Sequence, residues 1–207
     1  MAQQERAVRT REAVLRAAGE AFAQNGFLGT SMSDILQRAG VTKGALYFHF
    51  SSKEELAFAV VAAQKAAVTR LAEEEAAKEV PPLQAVVATT TRWARAVQSD
   101  PVVRAGVRLV AEQGAYQRPM SRPYGQWEDV LTQLLQRAQD SGQLGEGANP
   151  REAAELIVAA LTGATIVAQA THGPCDLPQR VEAMWQLLLT GLLPDGHKVF
   201  VLPRTLS

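Results

Sequence analysis

The stretch TSMSDILQRAGVTKGALYFHFSSKEEL, Thr30 to Leu56, decides how this chain is read. It holds three helix starts in close succession. Ser31 precedes an apolar-periodic run and has Asp34 three residues on, the spacing of a capping box. Ile35, Leu36 and Ala39 give that helix one apolar face, and Gly40 ends it. Thr42 stands at the next N-cap position, with a helix running from it through Tyr47. Ser51 or Ser52 caps the third, with Glu54 and Glu55 in its first turn, where the positive helix end favours acids. The first two helices are joined by AGVT, a few residues including a glycine. Two short helices so joined are the signature of a helix-turn-helix.

The second of these helices carries an unusual set of side chains. Lys43 lies at its leading end, where ammonium and helix dipole act together on an anion. Gly44 and Ala45 have almost no side chain, which lets the backbone approach a major groove about 12 Å wide. A glycine inside a helix costs roughly 1 kcal/mol against alanine, so close approach is the reason to keep one. Tyr47, one turn from Gly44, offers a hydroxyl to a phosphate or base edge. Leu46 and Phe50 are expected to point inward, with Phe48 beside them. His49 fits either a DNA contact or a packing role.

The rest of the chain also reads as helical. Val14, Leu15, Ala18, Ala21 and Phe22 form an amphipathic stripe from Ala7 to Gln24, stopped at Gly26. A long proline-free helix is expected from Lys53 to about Lys78, then helices near 83–98, 101–115, 122–141, 150–172 and 178–192. Each break contains Pro or Gly. Only KVFVL near the end hints at a strand. The reading is an all-α protein, with an N-terminal helix-turn-helix domain over 1–52 and a C-terminal helical ligand-binding and dimerisation domain over 53–207.

Charge and composition narrow the function. Lysine and arginine balance aspartate and glutamate over the 207 residues, and residues 1–56 hold seven basic against six acidic. Any DNA contact is therefore a local patch, helped by Arg6, Arg9 and Arg11 as a terminal arm or left as a solvated tail. The single cysteine, Cys175, is expected to be a structural spectator, and it excludes an intrachain disulfide or a multi-thiolate metal site. No metal cluster, catalytic constellation or cofactor motif is visible; His49, His172 and His197 are scattered. The N-terminus lacks an apolar signal core, and the run Leu156–Ala170 is shorter than the ~20 residues of a membrane span. A cytoplasmic protein without a membrane partner is expected.

The Thr30–Leu56 stretch resembles the DNA-binding domain of the TetR family of bacterial repressors. The likeness lies in a Thr/Ser pair, Asp-Ile, Ala-Gly-Val, Thr-Lys-Gly, Leu-Tyr, His-Phe and Ser-Lys-Glu-Glu-Leu, all in register. The resemblance implies that Ser31, Thr42, Lys43, Tyr47 and His49 lie at DNA, with Lys53 at a backbone phosphate. Sequence readout would fall to Lys43, Gly44, Ala45 and Tyr47. DPVVRAGVRLVAEQ (Asp100–Gln113), PYGQWEDV (Pro123–Val130) and RVEAMWQLLLTGLLP (Arg180–Pro194) are similar to the γ-butyrolactone-receptor branch of that family. That resemblance implies Trp127 in a ligand pocket.

Further pocket candidates come from the residues themselves. Gln64 falls on the Leu56–Val60–Ala67–Leu71 stripe of the long helix, and Thr162 lies in an apolar helix. Each would meet a ligand carbonyl or hydroxyl, or else be a surface Gln and a Thr bonded to its own backbone. Val107, Val110, Val158 and Ile166 are candidate apolar walls. Arg104 and Arg108, an i, i+4 pair, are expected as salt-bridged supports. The last two helices, with Trp185 and its leucines, are candidates for a homodimer interface. The resemblance implies a repressor that binds palindromic operator DNA as a dimer. A small hydrophobic γ-butyrolactone-type signal would release it, in quorum-sensing control of antibiotic and secondary-metabolism genes. Its rivals are a TetR-like repressor of efflux genes sensing hydrophobic drugs, and a helical enzyme acting on a lipid or terpenoid.

Overall fold

The computed structural model describes residues 2–116, 122–171 and 176–194. Cys175, His172, His197 and the KVFVL segment lie outside them. The described residues hold nine α-helices, one 3₁₀ turn and no strand. The helices are α1 (Ala2–Asn25), α2 (Met32–Ala39), α3 (Lys43–His49), α4 (Lys53–Ala76), α5 (Pro82–Ser99), α6 (Pro101–Ala111), α7 (Gly125–Asp140), α8 (Pro150–Thr171) and α9 (Leu177–Leu192), with the 3₁₀ turn at Gln113–Ala115 after α6. The helical reading thus holds element by element. The expected N-terminal arm is part of a helix: Arg6, Arg9 and Arg11 all lie within α1.

The chain packs as two compact units, 1–67 with 99–123 and 68–98 with 124–207. The long α4 contributes its first part to one and its last turns to the other. In the first unit, α1 packs along α6 and also against α2 and α3. Its core is Val14, Ala18, Phe22, Ile35, Leu46, Leu56, Val60 and Leu109. These are the periodic apolar positions of the amphipathic pattern, now turned to one another. Two glycines allow close approach. A Cβ on Gly19 would fall 2.8 Å from Val102 Cγ2, and one on Gly106 would fall 2.3 Å from Gln64 Cβ.

In the second unit, α7 packs on α8 and α8 on α9. Leu83, Val86, Trp93, Leu131, Leu135, Ile157, Leu161, Leu177, Val181 and Trp185 fill its core. Trp185, a candidate for the interface, is instead fully buried within the chain. Its indole N–H donates to the Thr90 hydroxyl of α5 at 2.8 Å. Helix α8 is longer than the apolar run suggested, and by length and composition alone it could cross a membrane. Yet its Ala154, Ile157, Val158, Leu161, Thr165 and Ala168 side is buried in the protein. Membrane passage is therefore not the reason for its composition.

A buried carboxylate fixes the end of α4 against α5. Glu75 is 2% exposed and accepts from Lys78 Nζ and from Arg92 Nη1, both at 2.6 Å; Arg92 also reaches Glu74 at 2.6 Å. Burial raises the Glu75 pKa, but the hydrogen bonds and charges of Lys78 and Arg92 outweigh it, and the net shift is downward. Stability from this group is complete above the ordinary glutamate value and lost as pH falls through the lowered one. Glu75→Gln should cost about 2–3 kcal/mol at neutral pH, read by urea unfolding. The difference from wild type should shrink once pH drops below 4.5. A difference that stays constant from pH 7 to pH 3 would contradict this account.

Candidate functional site

The recognition surface is built from two capped helices and a left-handed turn. Ser31 accepts from the Asp34 N–H at 3.1 Å, while the Asp34 carboxylate accepts from the Ser31 N–H at 2.9 Å and hydroxyl at 2.7 Å. This is a complete capping box. It also commits the Ser31 hydroxyl to Asp34, so Ser31 shapes the entry to α2. The hydrogen bonds from Ser31 hold the Asp34 carboxyl below its ordinary range. Gly40, at φ 63°, closes α2, its N–H donating to Leu36. Thr42 then caps α3 by accepting from the Ala45 N–H at 3.2 Å, leaving its own hydroxyl hydrogen for a partner.

Helix α3 exposes one face. Thr42, Lys43, Gly44, Tyr47 and Phe48 are exposed, and Ala45 is half-buried. A Cβ added at Gly44 meets nothing within 4 Å, so its backbone lies open. Lys43 Nζ sits 5.9 Å from the Tyr47 ring centroid, which groups cation and hydroxyl at one end of the helix. Leu46 and Phe50 are buried as expected. Phe48 is not: it is 81% exposed. At about 100° per residue, position 48 lies some 200° around the helix from Leu46, on the outer side. His49 is half-buried between the two rings, edge-on to Phe48 at 5.2 Å and 6.4 Å from Phe50.

Lys53 has a post within the fold. Its Nζ donates to the carbonyls of Phe27 at 2.8 Å and Thr30 at 2.9 Å, and lies 4.4 Å from the Phe27 ring centroid. It ties α4 to the turn between α1 and α2. Helix α6 grips the same turn. The Glu112 carboxylate accepts from the Phe27 N–H at 2.7 Å and from Arg108 Nε at 2.7 Å. Arg108 Nη1 donates to the carbonyls of Ala23 and Gln24, the free acceptors at the end of α1. Gly26, at φ 71°, must be glycine twice over, since a Cβ there would fall 2.6 Å from Glu112 Oε1.

The ligand candidates divide between the two units. Gln64, Val107 and Val110 belong to the first. Gln64 and Val110 are buried and Val107 half-buried, with Gln64 packed against the bare backbone of Gly106. Trp127, Val158, Thr162 and Ile166 belong to the second. Val158 is buried. Thr162 donates to its own helix at Val158 O, 2.8 Å. Burial raises the Tyr124 phenol above its ordinary pKa, with a smaller opposing effect from Thr162. Trp127 is half-buried and tilts against Trp93 of α5, ring centroids 6.1 Å apart. Ile166 is 53% exposed and does not wall a cavity, because it lies off the buried side of α8.

Comparison with known proteins matches this arrangement at both ends. Residues 14–60 match the bacterial regulatory proteins of the tetR family, and residues 80–194 match the tetracyclin repressor-like C-terminal domain. The chain belongs to the TetR family. The A-factor receptor protein of Streptomyces griseus is 36% identical over 204 residues, 99% of this chain and 71% of that protein. A structure solved for the control of antibiotic production by bacterial hormones aligns at a TM-score of 0.85 with 38% identity, covering 90% of this chain and 98% of that one. A γ-butyrolactone receptor described as ArpA-like aligns at 0.79 with 33% identity, covering 94% and 93%.

As a TetR-family regulator the chain is not an enzyme. Sequence reading missed the Arg108–Glu112 grip on this regulator's helix-turn-helix, since its partners lie about 85 residues apart. The arginine at 108 was visible as a supporting ion pair, but not the turn it supports. Lys43, exposed on α3, and Lys53, bonded to two carbonyls, carry different expectations. Lys43→Ala should leave the melting temperature nearly unchanged and reduce the slope of log affinity against log salt by about 0.9, one phosphate's worth. Lys53→Ala should instead lower the melting temperature by about 3–10 °C through its lost carbonyl contacts. Calorimetry and salt-dependent anisotropy on labelled duplex read both. An unchanged melting temperature in Lys53→Ala would remove it from the structural tie.

Proposed function

We propose that this chain is a ligand-relieved transcriptional repressor. It binds palindromic operator DNA as a homodimer and leaves it when a γ-butyrolactone-type signal binds. It works in the cytoplasm on genes of antibiotic and secondary metabolism. The similarity to the A-factor receptor along 99% of the chain carries the reading, because it includes the ligand half as well as the DNA-binding half. That extent also sets the efflux-repressor alternative behind it.

The exposed face of α3 supplies the DNA contacts. Lys43 and the Thr42 hydroxyl meet phosphate, which positions the protein, while Gly44, Ala45 and Tyr47 face base edges. His49 supports α3 between two rings, and Phe48 adds apolar contact at the outer side. Trp127 supplies an aromatic wall for a lactone's alkyl part, with Val158 and Thr162 on α8 as further contacts.

A second copy of the chain fits the outer side of α8. Leu156, Ala159, Gly163, Ile166 and Ala170 form an exposed stripe with helical spacing, and Gly163 has open space above it. Leu187 on α9 is 75% exposed. Small residues at such spacing let helices of two protomers approach closely, and a two-fold dimer matches a palindrome.

Release follows if the lactone binds better to the form that does not hold DNA, since only differential affinity shifts the equilibrium. The test is anisotropy of a duplex selected from random sequence by the purified dimer, titrated with a synthetic 2-acyl-γ-butyrolactone. Binding should be sequence-specific and salt-sensitive, and the lactone should release the duplex. Specific binding that no lactone disturbs would remove the sensor part and leave the repressor.

A further inference from the structure

The three tryptophans of the chain meet different fates. Trp185 donates its N–H to Thr90, and Trp127 is partly exposed. Trp93 is 3% exposed, and its Nε1–H has no acceptor among the described residues. A buried donor left unpaired costs free energy comparable to a lost hydrogen bond, so such groups are rare without a reason. The neighbouring polar groups of α5 are no help. The Thr90 hydroxyl accepts from the Trp185 N–H, and neither it nor the Thr89 hydroxyl, which donates to Ala85 O, accepts from Trp93. The Arg92 guanidinium, paired with Glu74 and Glu75, carries only donors and cannot accept.

Trp93 lies beside Trp127, ring centroids 6.1 Å apart. The unpaired donor thus sits next to the aromatic residue to which the lactone was assigned above, and both belong to the same compact unit. We propose that Trp93 is a ligand-binding residue, its indole N–H donating to the ring carbonyl of the lactone while the Trp127 face covers the alkyl part. The assignment rests on the lactone reading above.

An indole N–H can only donate, so its partner must bring an acceptor. An ester carbonyl is a neutral acceptor and enters an apolar wall at modest cost. A carboxylate would need a cation to offset its desolvation, and the arginine next along α5 is committed elsewhere. Trp93 would therefore select closed lactones over their ring-opened hydroxy acids. It would also select them over cyclic ethers of the same shape, which lack the carbonyl.

The experiment uses the full-length dimer and two probes, a 2-octyl-γ-butyrolactone and the matching 2-octyltetrahydrofuran. Wild type should bind the lactone ~10-fold more tightly than the ether by calorimetry, as one well-placed hydrogen bond allows. Trp93→Phe should bring the two within about twofold, while Trp127→Phe weakens both together. If wild type binds neither probe, the lactone reading fails and this assignment with it. If wild type binds both equally, or Trp93→Phe keeps the preference, the assignment fails and the sensor reading stands. Should Trp93→Phe not fold, indole ¹⁵N–¹H spectra of wild type decide the matter. The peak that persists in both Trp127→Phe and Trp185→Phe is that of Trp93. It should move downfield with lactone and stay in place with ether; an unmoved peak overturns the proposal.

Discussion

The turn from Asn25 to Thr30 is the constraint on which the DNA-reading surface depends. A helix that ends leaves carbonyls without partners, and a chain that reverses there leaves N–H groups as well. Here both sets are answered from elsewhere in the fold. Arg108 takes the carbonyls of Ala23 and Gln24, Glu112 takes the Phe27 N–H, and Lys53 takes the carbonyls of Phe27 and Thr30. The buried Thr30 hydroxyl adds a bond to Gly26 O at 2.8 Å. Below the turn, Phe27 stacks on Phe22 and meets Tyr116 edge-on at 4.6 Å. The Tyr116 phenol is raised well above its usual pKa by burial, and its hydroxyl donates to Leu109 O. The angle at which α2 and α3 leave α1 is thus set by α4 and α6.

This arrangement gives the proposed signal a physical route. Helix α6 carries Val107 and Val110 on the same few turns as Arg108, with Glu112 as its C-cap. Helix α4 is continuous from Lys53, through Gln64, to Glu75 with its buried ion pairs. Gln64 is pressed onto Gly106, so the two helices that hold the turn also hold each other within the first unit. A shift of α6 by a fraction of a side chain has no slack to absorb it there, because packed interiors are not continuously deformable.

Much of the DNA site was legible in the sequence because caps are local. Ser31 with Asp34, Gly40, and Thr42 before Lys43 all specify their turns within three or four residues. Helix period turned Leu46 and Phe50 inward, and the same period places Phe48 outward; grouping Phe48 with them was the mistake. Lys53 could not be read, because its long stem reaches back to carbonyls 23 and 26 residues earlier. Trp185 was ambiguous for a similar reason, its partner Thr90 being 95 residues away. Among the ligand candidates, Trp127 came from resemblance, and the others from polar or apolar residues on helix faces. Trp93 left no sequence signal at all, since an unpaired N–H is visible only when every neighbour has been placed.

Release by differential affinity, as proposed, requires the two recognition helices of the dimer to stand differently with lactone bound than on DNA. Spin labels at Gln37→Cys, exposed on α2, with Cys175→Ser to remove the native thiol, report the separation of the two helix-turn-helix motifs. Double electron–electron resonance should give a distance near one turn of DNA, ~35 Å, for the dimer on its operator. Adding a 2-acyl-γ-butyrolactone should move that distance away as DNA is released. Release of DNA with the label distance unchanged would contradict the account.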